Sequence, residues 1–239
     1  MPRFFVDNVN SDKVILTGEN ARHIGRSLRM KVGDVLTLCC EGTDYECSIS
    51  AFTDSEVCCD VVSSRKTESE PETKLTLFQA MPKGDKAETI VQKAVELGAY
   101  EVVFVMTARC VSRPDEKSFA KRLERLNKVS LEAAKQCGRG IIPRVSGIIS
   151  LSELTGRLSS FDKALMCYEK GGASLSDAGI SRGQRIALFI GSEGGFEQAE
   201  ADAFVSAGGE LTGLGARILR CETAPVAAAS IIMHLAGEM

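Results

Sequence analysis

The 239-residue sequence predicts an α/β protein, in which a small β-barrel precedes a mostly parallel sheet covered by helices on both faces. Three observations carry that prediction. Short alternating segments separated by turn residues fill the first 70 residues, as in small barrels. A polar stretch, Ser63 to Lys74, read as SSRKTESEPETK, has no apolar periodicity and contains Pro71, so it reads as a linker. Beyond it strands alternate with helices, the rhythm of a parallel sheet. Two domains follow, residues 1–70 and 71–239, and no internal repeat is visible.

In the first domain the strand segments are Val14 to Leu16, Val35 to Leu38, Tyr45 to Ala51 and Val57 to Val62. Gly33-Asp34 and Gly42-Thr43-Asp44 mark turns between them. About 70 residues is small for an independent core. In the second domain Leu75 to Met81, Glu101 to Met106, Ala164 to Tyr168 and Arg185 to Ile190 read as strands. Asp85 to Leu97 is a helix with Ile90, Val91, Ala94, Val95 and Leu97 on one side. Lys117 to Gln136, Glu197 to Ala207 and Pro225 to Ala236 are further helices.

Composition bounds the function. The longest apolar runs are strand-length, far too short for a membrane helix, and the N-terminus lacks the apolar region of a secretory signal. A cytoplasmic protein is expected. Nine cysteines without Cys-x-x-Cys spacing fit neither a disulfide framework nor a zinc site, so reduced, structural thiols are expected. With only two histidines, no metal site is expected. The net charge of −3 does not mark a nucleic-acid binder, but binding depends on where the cations sit.

Two segments carry candidate chemistry. Ile190-Gly191-Ser192-Glu193-Gly194-Gly195-Phe196 follows an apolar strand and precedes a helix, at the crevice where open α/β sheets bind ligands. Its spacing is not the dinucleotide fingerprint, and no phosphate-loop Gly-Lys-Ser/Thr occurs. On spacing alone a tight turn and a ligand loop fit equally. The second segment runs from Leu214 to Pro225. Thr223 is suited to capping the next helix and Pro225 to its first turn, but neither explains why Arg217, Arg220 and Glu222 crowd its start.

These segments, IGSEGGF and LGARILRCETAPVAA, resemble the paired cofactor loops of the RsmE family of SPOUT (α/β-knot) methyltransferases. MPKGDKAETIVQKAVELGA from Met81, TARCVSR from Thr107 and EAAKQCGRGIIPRV from Glu132 are similar to further signatures of that family. So are Met1-Pro2-Arg3-Phe4-Phe5 and HIGRSLRMKVGD from His23, so the resemblance spans nearly the whole chain in order. Ser192 and Ala216 stand where many members have proline, and Cys221 replaces a more usual threonine.

The resemblance implies a PUA-like barrel followed by a parallel-sheet domain threaded into a trefoil knot, and a homodimer. It implies S-adenosylmethionine as cofactor and N3 of a uridine in small-subunit (16S) ribosomal RNA as methyl acceptor, on naked RNA or an assembled subunit, with no role for DNA or membrane. The implied cofactor residues are Tyr168, Ile190, Gly191, Glu193, Gly194 and Gly195, with Leu214, Gly215, Ile218, Leu219 and Arg220. The side chains of Ile218 and Leu219 are expected in the core, their backbone facing the adenine. Beside a PUA-like barrel, the basic cluster Arg22, His23, Arg26, Arg29 and Lys31 reads as an RNA surface, together with Arg3. Arg22, Arg26 and Arg29 are spaced to share a helical face. Arg109, Arg113, Lys135, Gln136 and Arg139 extend that expectation.

A uridine N3 is a poor nucleophile until its proton leaves, and a paired base must first be exposed. Arg220 is the candidate to stabilise the developing uridine anion, with Glu222 or Glu193 as proton acceptor. Glu222 is equally explained as a carboxylate at a helix start. No cysteine is expected as a nucleophile. Two rival readings are a nucleotide-binding enzyme acting on a small molecule and a non-catalytic RNA-binding assembly factor. The missing phosphate-loop lysine counts against the first and the intact loops against the second.

Overall fold

The computed structural model describes residues 1–9 and 11–239. They divide into two compact units: Met1–Glu70 with Lys135–Ile141, and Pro71–Ala134 with Ile142–Met239.

The first unit is built on β1 (Arg3–Phe5), β2 (Lys13–Leu16), β3 (Val35–Cys40), β4 (Thr43–Phe52) and β5 (Val57–Lys66), in the order β1-β3-β4-β5-β2. β3, β4 and β5 form an antiparallel meander. Glu41 and Gly42, at φ 47° and 79°, make the two-residue turn between β3 and β4, whose double positive φ suits strand twist and favours glycine. Phe4, Leu16, Ile24, Leu36, Leu38, Cys47, Ile49 and Val57 fill the core, so the alternation in the sequence marks its buried face. Cys39 and Cys59 are buried while their neighbours Cys40 and Cys58 are half-buried, as adjacent strand residues should be; all nine cysteines are free thiols.

Three expectations for this unit are corrected. β5 continues through Ser63 to Lys66, which pair with Glu46 to Thr43, so the connecting segment is shorter than Ser63 to Lys74. These last residues are exposed and are held by ladder hydrogen bonds, which leave no apolar pattern to read. The three arginines do not share a regular helical face. The short helix α1 (Gly18–Arg22) widens into a π-helical turn over His23–Ser27, and Arg29 lies beyond it at φ 52°. All of Arg22, His23, Arg26, Arg29 and Lys31 are nonetheless exposed.

The third correction concerns Arg3 and Arg139. Arg3 grips Asp44 through two hydrogen bonds of 2.7 Å and donates a third, 3.2 Å, to the Arg139 carbonyl. Thr67 Oγ1 donates to the same Asp44 carboxylate at 2.6 Å. Arg139, 2% exposed, holds Glu70 through Nε at 2.9 Å and Nη2 at 2.7 Å. Arg139 is an internal strut, closed to a phosphate, and the half-buried Arg3 is committed to Asp44. Removing one partner of a buried, bidentate pair leaves the other charge uncompensated, typically at a cost of about 3–5 kcal/mol. Arg139→Met is therefore expected to lower thermal stability markedly while leaving the salt dependence of RNA binding unchanged. Calorimetry beside RNA titrations at several salt concentrations checks both halves.

The second unit carries a seven-stranded, all-parallel sheet: β6 (Lys74–Ala80), β7 (Glu101–Met106), β8 (Arg144–Ser150), β9 (Lys163–Cys167), β10 (Ala173–Ser174), β11 (Arg185–Ile190) and β12 (Glu210–Gly213). Their order is β10-β12-β9-β11-β6-β7-β8. β6, β11 and β9 occupy the middle and are near-continuous apolar runs, because both faces are covered. The helices are α2 (Lys86–Glu96), α3 (Glu116–Cys137), α4 (Leu151–Thr155), α5 (Gln198–Ser206) and α6 (Ala224–Leu235). α2 buries Ile90, Val91, Ala94 and Val95 as its spacing predicts, with Ala87 in addition, while Leu97 sits half-buried at its C-cap. Phe189 stacks edge-on against Phe196 and packs on Phe204 of α5, fixing the chain on either side of the turn after β11. Among the described residues no helix is long and apolar enough to cross a membrane.

Candidate active site

Parallel strands present their carboxyl ends along one edge, and here β9, β11 and β12 are neighbours or next neighbours. The loops that follow them, Tyr168–Gly171, Gly191–Phe196 and Leu214–Ala224, line one cavity of about 790 Å³ together with Lys86 of α2. That size is typical of a small-molecule site.

The middle loop is held from several sides. Gln79, fully buried on β6, donates its side-chain amide to the Gly191 carbonyl at 3.1 Å. Arg109 Nη1 donates to the Gly194 carbonyl at 3.1 Å. Gly195 donates its N–H to the Ser192 carbonyl and has φ 65°; a Cβ on it would overlap the Glu169 carboxylate. Tyr168 is buried, lines the cavity and donates its hydroxyl to Gln198 Oε1 at 3.0 Å at the start of α5. The lining combines apolar side chains such as Ile190, Phe196 and Leu214 with backbone groups and charge, a surface suited to a flat heterocycle with a polar tail.

Lys86 joins the two glycine-bearing loops. Its ammonium lies 2.9 Å from Glu193 Oε1 and 3.2 Å from Glu222 Oε2. The hydrogen bond with Glu193, then that with Glu222, holds Lys86 above the ordinary lysine pKa. Partial burial works against the Glu193 charge, but the bonds from Lys86 and from the Lys83 N–H outweigh it and hold the carboxyl below its ordinary value. Glu222 is likewise lowered, with burial outweighed by its own backbone N–H, Cys221 and Lys86. Carboxylates engaged this way are weak proton acceptors, which counts against the base role expected of them. Burial, the Glu222 hydrogen bond and nearby Glu193 push the Cys221 thiol up to about 12, so it is no thiolate near neutral pH.

The structure brings every expected cofactor residue to this cavity: Tyr168, Ile190, Gly191, Glu193, Gly194, Gly195, Leu214, Gly215, Ile218, Leu219 and Arg220. Glu222 stands behind it on Lys86. One placement is corrected: Ile218 is 78% exposed, not in the core, because the loop after β12 has no regular structure that would turn it inward. Arg109 braces the middle loop through its bond to the Gly194 carbonyl, while its side chain stays exposed. Arg217 and Arg220 are exposed on the cavity rim, and neither side chain has a partner among the described residues.

Sequence spacing does not single out Lys86, Gln79 or Glu169. The motif around Lys86 is visible, but nothing in it says that a helix start reaches two loops, one of them 107 residues away at Glu193. Among the described residues no group of three or more histidine, cysteine or acidic side chains is arranged for a metal ion.

A seven-stranded parallel sheet with glycine-bearing loops at the carboxyl ends of its strands, in a chain that also carries a five-stranded unit, defines a two-part α/β protein. The chain belongs to the RNA methyltransferase family: a family model described as the RNA methyltransferase domain matches residues 68–233, and one described as the RNA methyltransferase PUA domain matches 16–62. It is 36% identical over 228 residues to Ribosomal RNA small subunit methyltransferase E of Bacillus subtilis (strain 168), covering 92% of this chain and 89% of that protein. It is similar to the crystal structure of Ribosomal RNA small subunit methyltransferase E from Neisseria gonorrhoeae bound to S-adenosyl methionine, at 30% identity and TM-score 0.87, covering 99% of this chain and 98% of that one. A Legionella pneumophila methyltransferase in complex with SAM aligns at 28% identity and TM-score 0.86, covering 98% and 97%.

Proposed function

We propose that this protein methylates N3 of a uridine in small-subunit ribosomal RNA, using S-adenosylmethionine. The observation that carries the reading is the cavity built from the two glycine-bearing loops, with Arg220 unpartnered at its rim. The bound cofactor supplies an electrophilic methyl group on a sulfonium. The chain supplies position: Gln79 and Arg109 fix the backbone of the middle loop, and Lys86 fixes that loop against the turn carrying Glu222. Arg220 donates to the uridine oxygen on which charge gathers as N3 loses its proton to solvent water, which favours the anion that attacks. Cys221, held as a thiol, forms no adduct with the ring.

The exposed cations Arg22, His23, Arg26, Arg29 and Lys31 give the first unit a basic face for the RNA backbone. Ile218, Ile231 and Leu235 leave apolar surface exposed on the second unit, as a homodimer would require. The cytoplasm, where ribosomal RNA is made and modified, is the place such an enzyme works.

The reading is tested by transfer of labelled methyl to small subunits lacking the modification, with nucleosides identified by mass spectrometry. N3-methyluridine at one position supports it; label absent from every nucleoside, with cofactor bound, counts against the assigned acceptor. Charge reversal at Arg26 and Arg29 is expected to weaken RNA binding and to lower its salt slope by roughly one unit for each phosphate no longer neutralised, with cofactor affinity unchanged. Unchanged RNA affinity would remove this face from the reading.

A further inference from the structure

One carboxylate in the cavity has no task in the steps above. Glu169 follows the buried Tyr168 at the carboxyl end of β9, and its side chain is 28% exposed. Its Oε1 accepts the Phe196 N–H at 3.2 Å. Arg109 Nη1 lies 4.0 Å from that same oxygen, the outer limit of an ion pair, and gives its hydrogen bond to Gly194 instead. Oε2 accepts no hydrogen bond among the described residues.

Glu193 and Glu222 differ in this respect, because Lys86 engages both. The middle loop is also shaped around Glu169. Gly195 takes positive φ beside it, and any Cβ there would displace the carboxylate. A carboxylate that lines a cavity, is fixed through one oxygen by a backbone N–H and has room preserved for it by a glycine is preorganised for a ligand that donates hydrogen bonds.

We propose that Glu169 receives the two vicinal hydroxyls of the cofactor's ribose. The inference rests on the S-adenosylmethionine reading and deepens it. An ionised carboxylate only accepts hydrogen bonds and has two oxygens with about four lone-pair sites, so it suits a diol, which offers two donors side by side. An acidic side chain serving ribose hydroxyls is a general solution of parallel α/β sheets, because strand ends bring it level with the glycine loop that takes the rest of the nucleoside. The other polar walls of this cavity are less suited. Lys86 and the rim arginines are donors only, and the loop glycines offer single backbone groups.

The test is calorimetric titration of the full-length protein and its Glu169→Gln variant with S-adenosylhomocysteine and with the 2′,3′-dideoxy form of that compound. The wild type is expected to bind the diol-bearing ligand about tenfold or more tightly than the dideoxy form. Glu169→Gln should lose that margin and bind the dideoxy ligand as the wild type does, at an unchanged melting temperature. Equal loss on both ligands would make Glu169 a brace for Phe196 and overturn the inference, as would no loss on either. If Glu169→Gln melts early, Glu169→Asp, which keeps the charge one methylene back, must retain part of the diol margin. Wild-type protein that binds neither S-adenosylmethionine nor S-adenosylhomocysteine fails the cofactor reading itself, an outcome distinct from a missing diol margin.

Discussion

Methyl transfer by an Arg220→Ala variant is expected to fall by about two to three orders of magnitude in single-turnover rate, the loss seen when one donor to a developing oxyanion is removed. Arg220 stands apart by what it does not do. Its guanidinium reaches the cavity rim without engaging any described side chain or carbonyl, whereas Arg109 is bonded to Gly194 and Arg139 to Glu70. Its backbone carbonyl accepts the N–H groups of Thr223 and Ala224, at 2.8 and 2.9 Å, so the start of α6 holds the residue in place whatever its side chain. The variant should therefore fold and melt as the wild type does. A lysine at 220 should recover only part of the rate, since a point charge lacks the planar fork that meets a carbonyl edge. A fully active Arg220→Ala enzyme would end the assignment.

Lys86→Met is expected to weaken S-adenosylmethionine binding by roughly ten- to a hundredfold, the scale of losing hydrogen bonds to charged groups. The side chain removed is the only described cation that touches both Glu193 and Glu222, so its loss leaves two carboxylates close together and two loops untied. Lys86→Arg should restore much of the affinity, because it keeps the charge and can still reach two acceptors. The pH dependence follows from the direction of the shifts. Both carboxyls lie below the ordinary value, so the tie is present at neutral pH and fails only as pH falls through their lowered values on the acid side. Lys86 is raised, so alkali releases it later than an ordinary lysine. Wild-type affinity should thus be flat around neutrality. The methionine variant has no tie to lose and should show no such fall on acidification, since protonating its two unpaired carboxylates relieves their mutual repulsion. Titration calorimetry across pH decides it; affinity equal to wild type would sink the tie.

Much of this architecture is legible in the residues. β11 stands where its sequence predicts it, Arg185 to Ile190, because a buried parallel strand is an apolar run bounded by polar residues. α2, α3, α5 and α6 agree with their predicted spans to within a residue or so at each end, since their apolar spacing and Pro225 in the first turn of α6 follow local rules, although Thr223 at the start of α6 makes no side-chain cap hydrogen bond. The strands that escape a sequence reading are β1, β8, β10 and β12. Arg3–Phe5 is three residues long, Ala173–Ser174 two, and Arg144–Ser150 contains Gly147 and pairs on one side only, so none shows a period. Glu210–Gly213 exists because β9 offers it a ladder, a long-range partner invisible to a local window.

The site is legible as loops but not as a network. Glycine spacing locates the backbone, and the family resemblance supplies its ligand. The electrostatics depend on tertiary neighbours: Lys86 converts two candidate bases into bound anions, and Asp44 and Glu70 convert two candidate RNA contacts into struts. Charged residues are the hardest to assign from sequence for this reason. Their role is set by whichever opposite charge the fold brings near. Here Arg3 finds Asp44 at a separation of 41 residues, Arg139 finds Glu70 at 69, and Lys86 finds Glu193 at 107.

The first unit is discontinuous in the chain, and this bears on how it can be inherited and handled. Its hairpin turn receives Gly140: the Gly42 N–H donates to the Gly140 carbonyl at 3.0 Å, and a side chain at 140 would collide with Thr67. Residues 135–141 are thus a structural part supplied from the middle of the other unit's sequence. A gene fragment ending at codon 70 would encode Glu70 without Arg139. Such a piece could not be shuffled onto another enzyme as a ready-made RNA-binding cassette, and an expression plasmid cut at that boundary should yield aggregated protein. The two units are bound to a shared history, with recombination between them penalised by that one short segment.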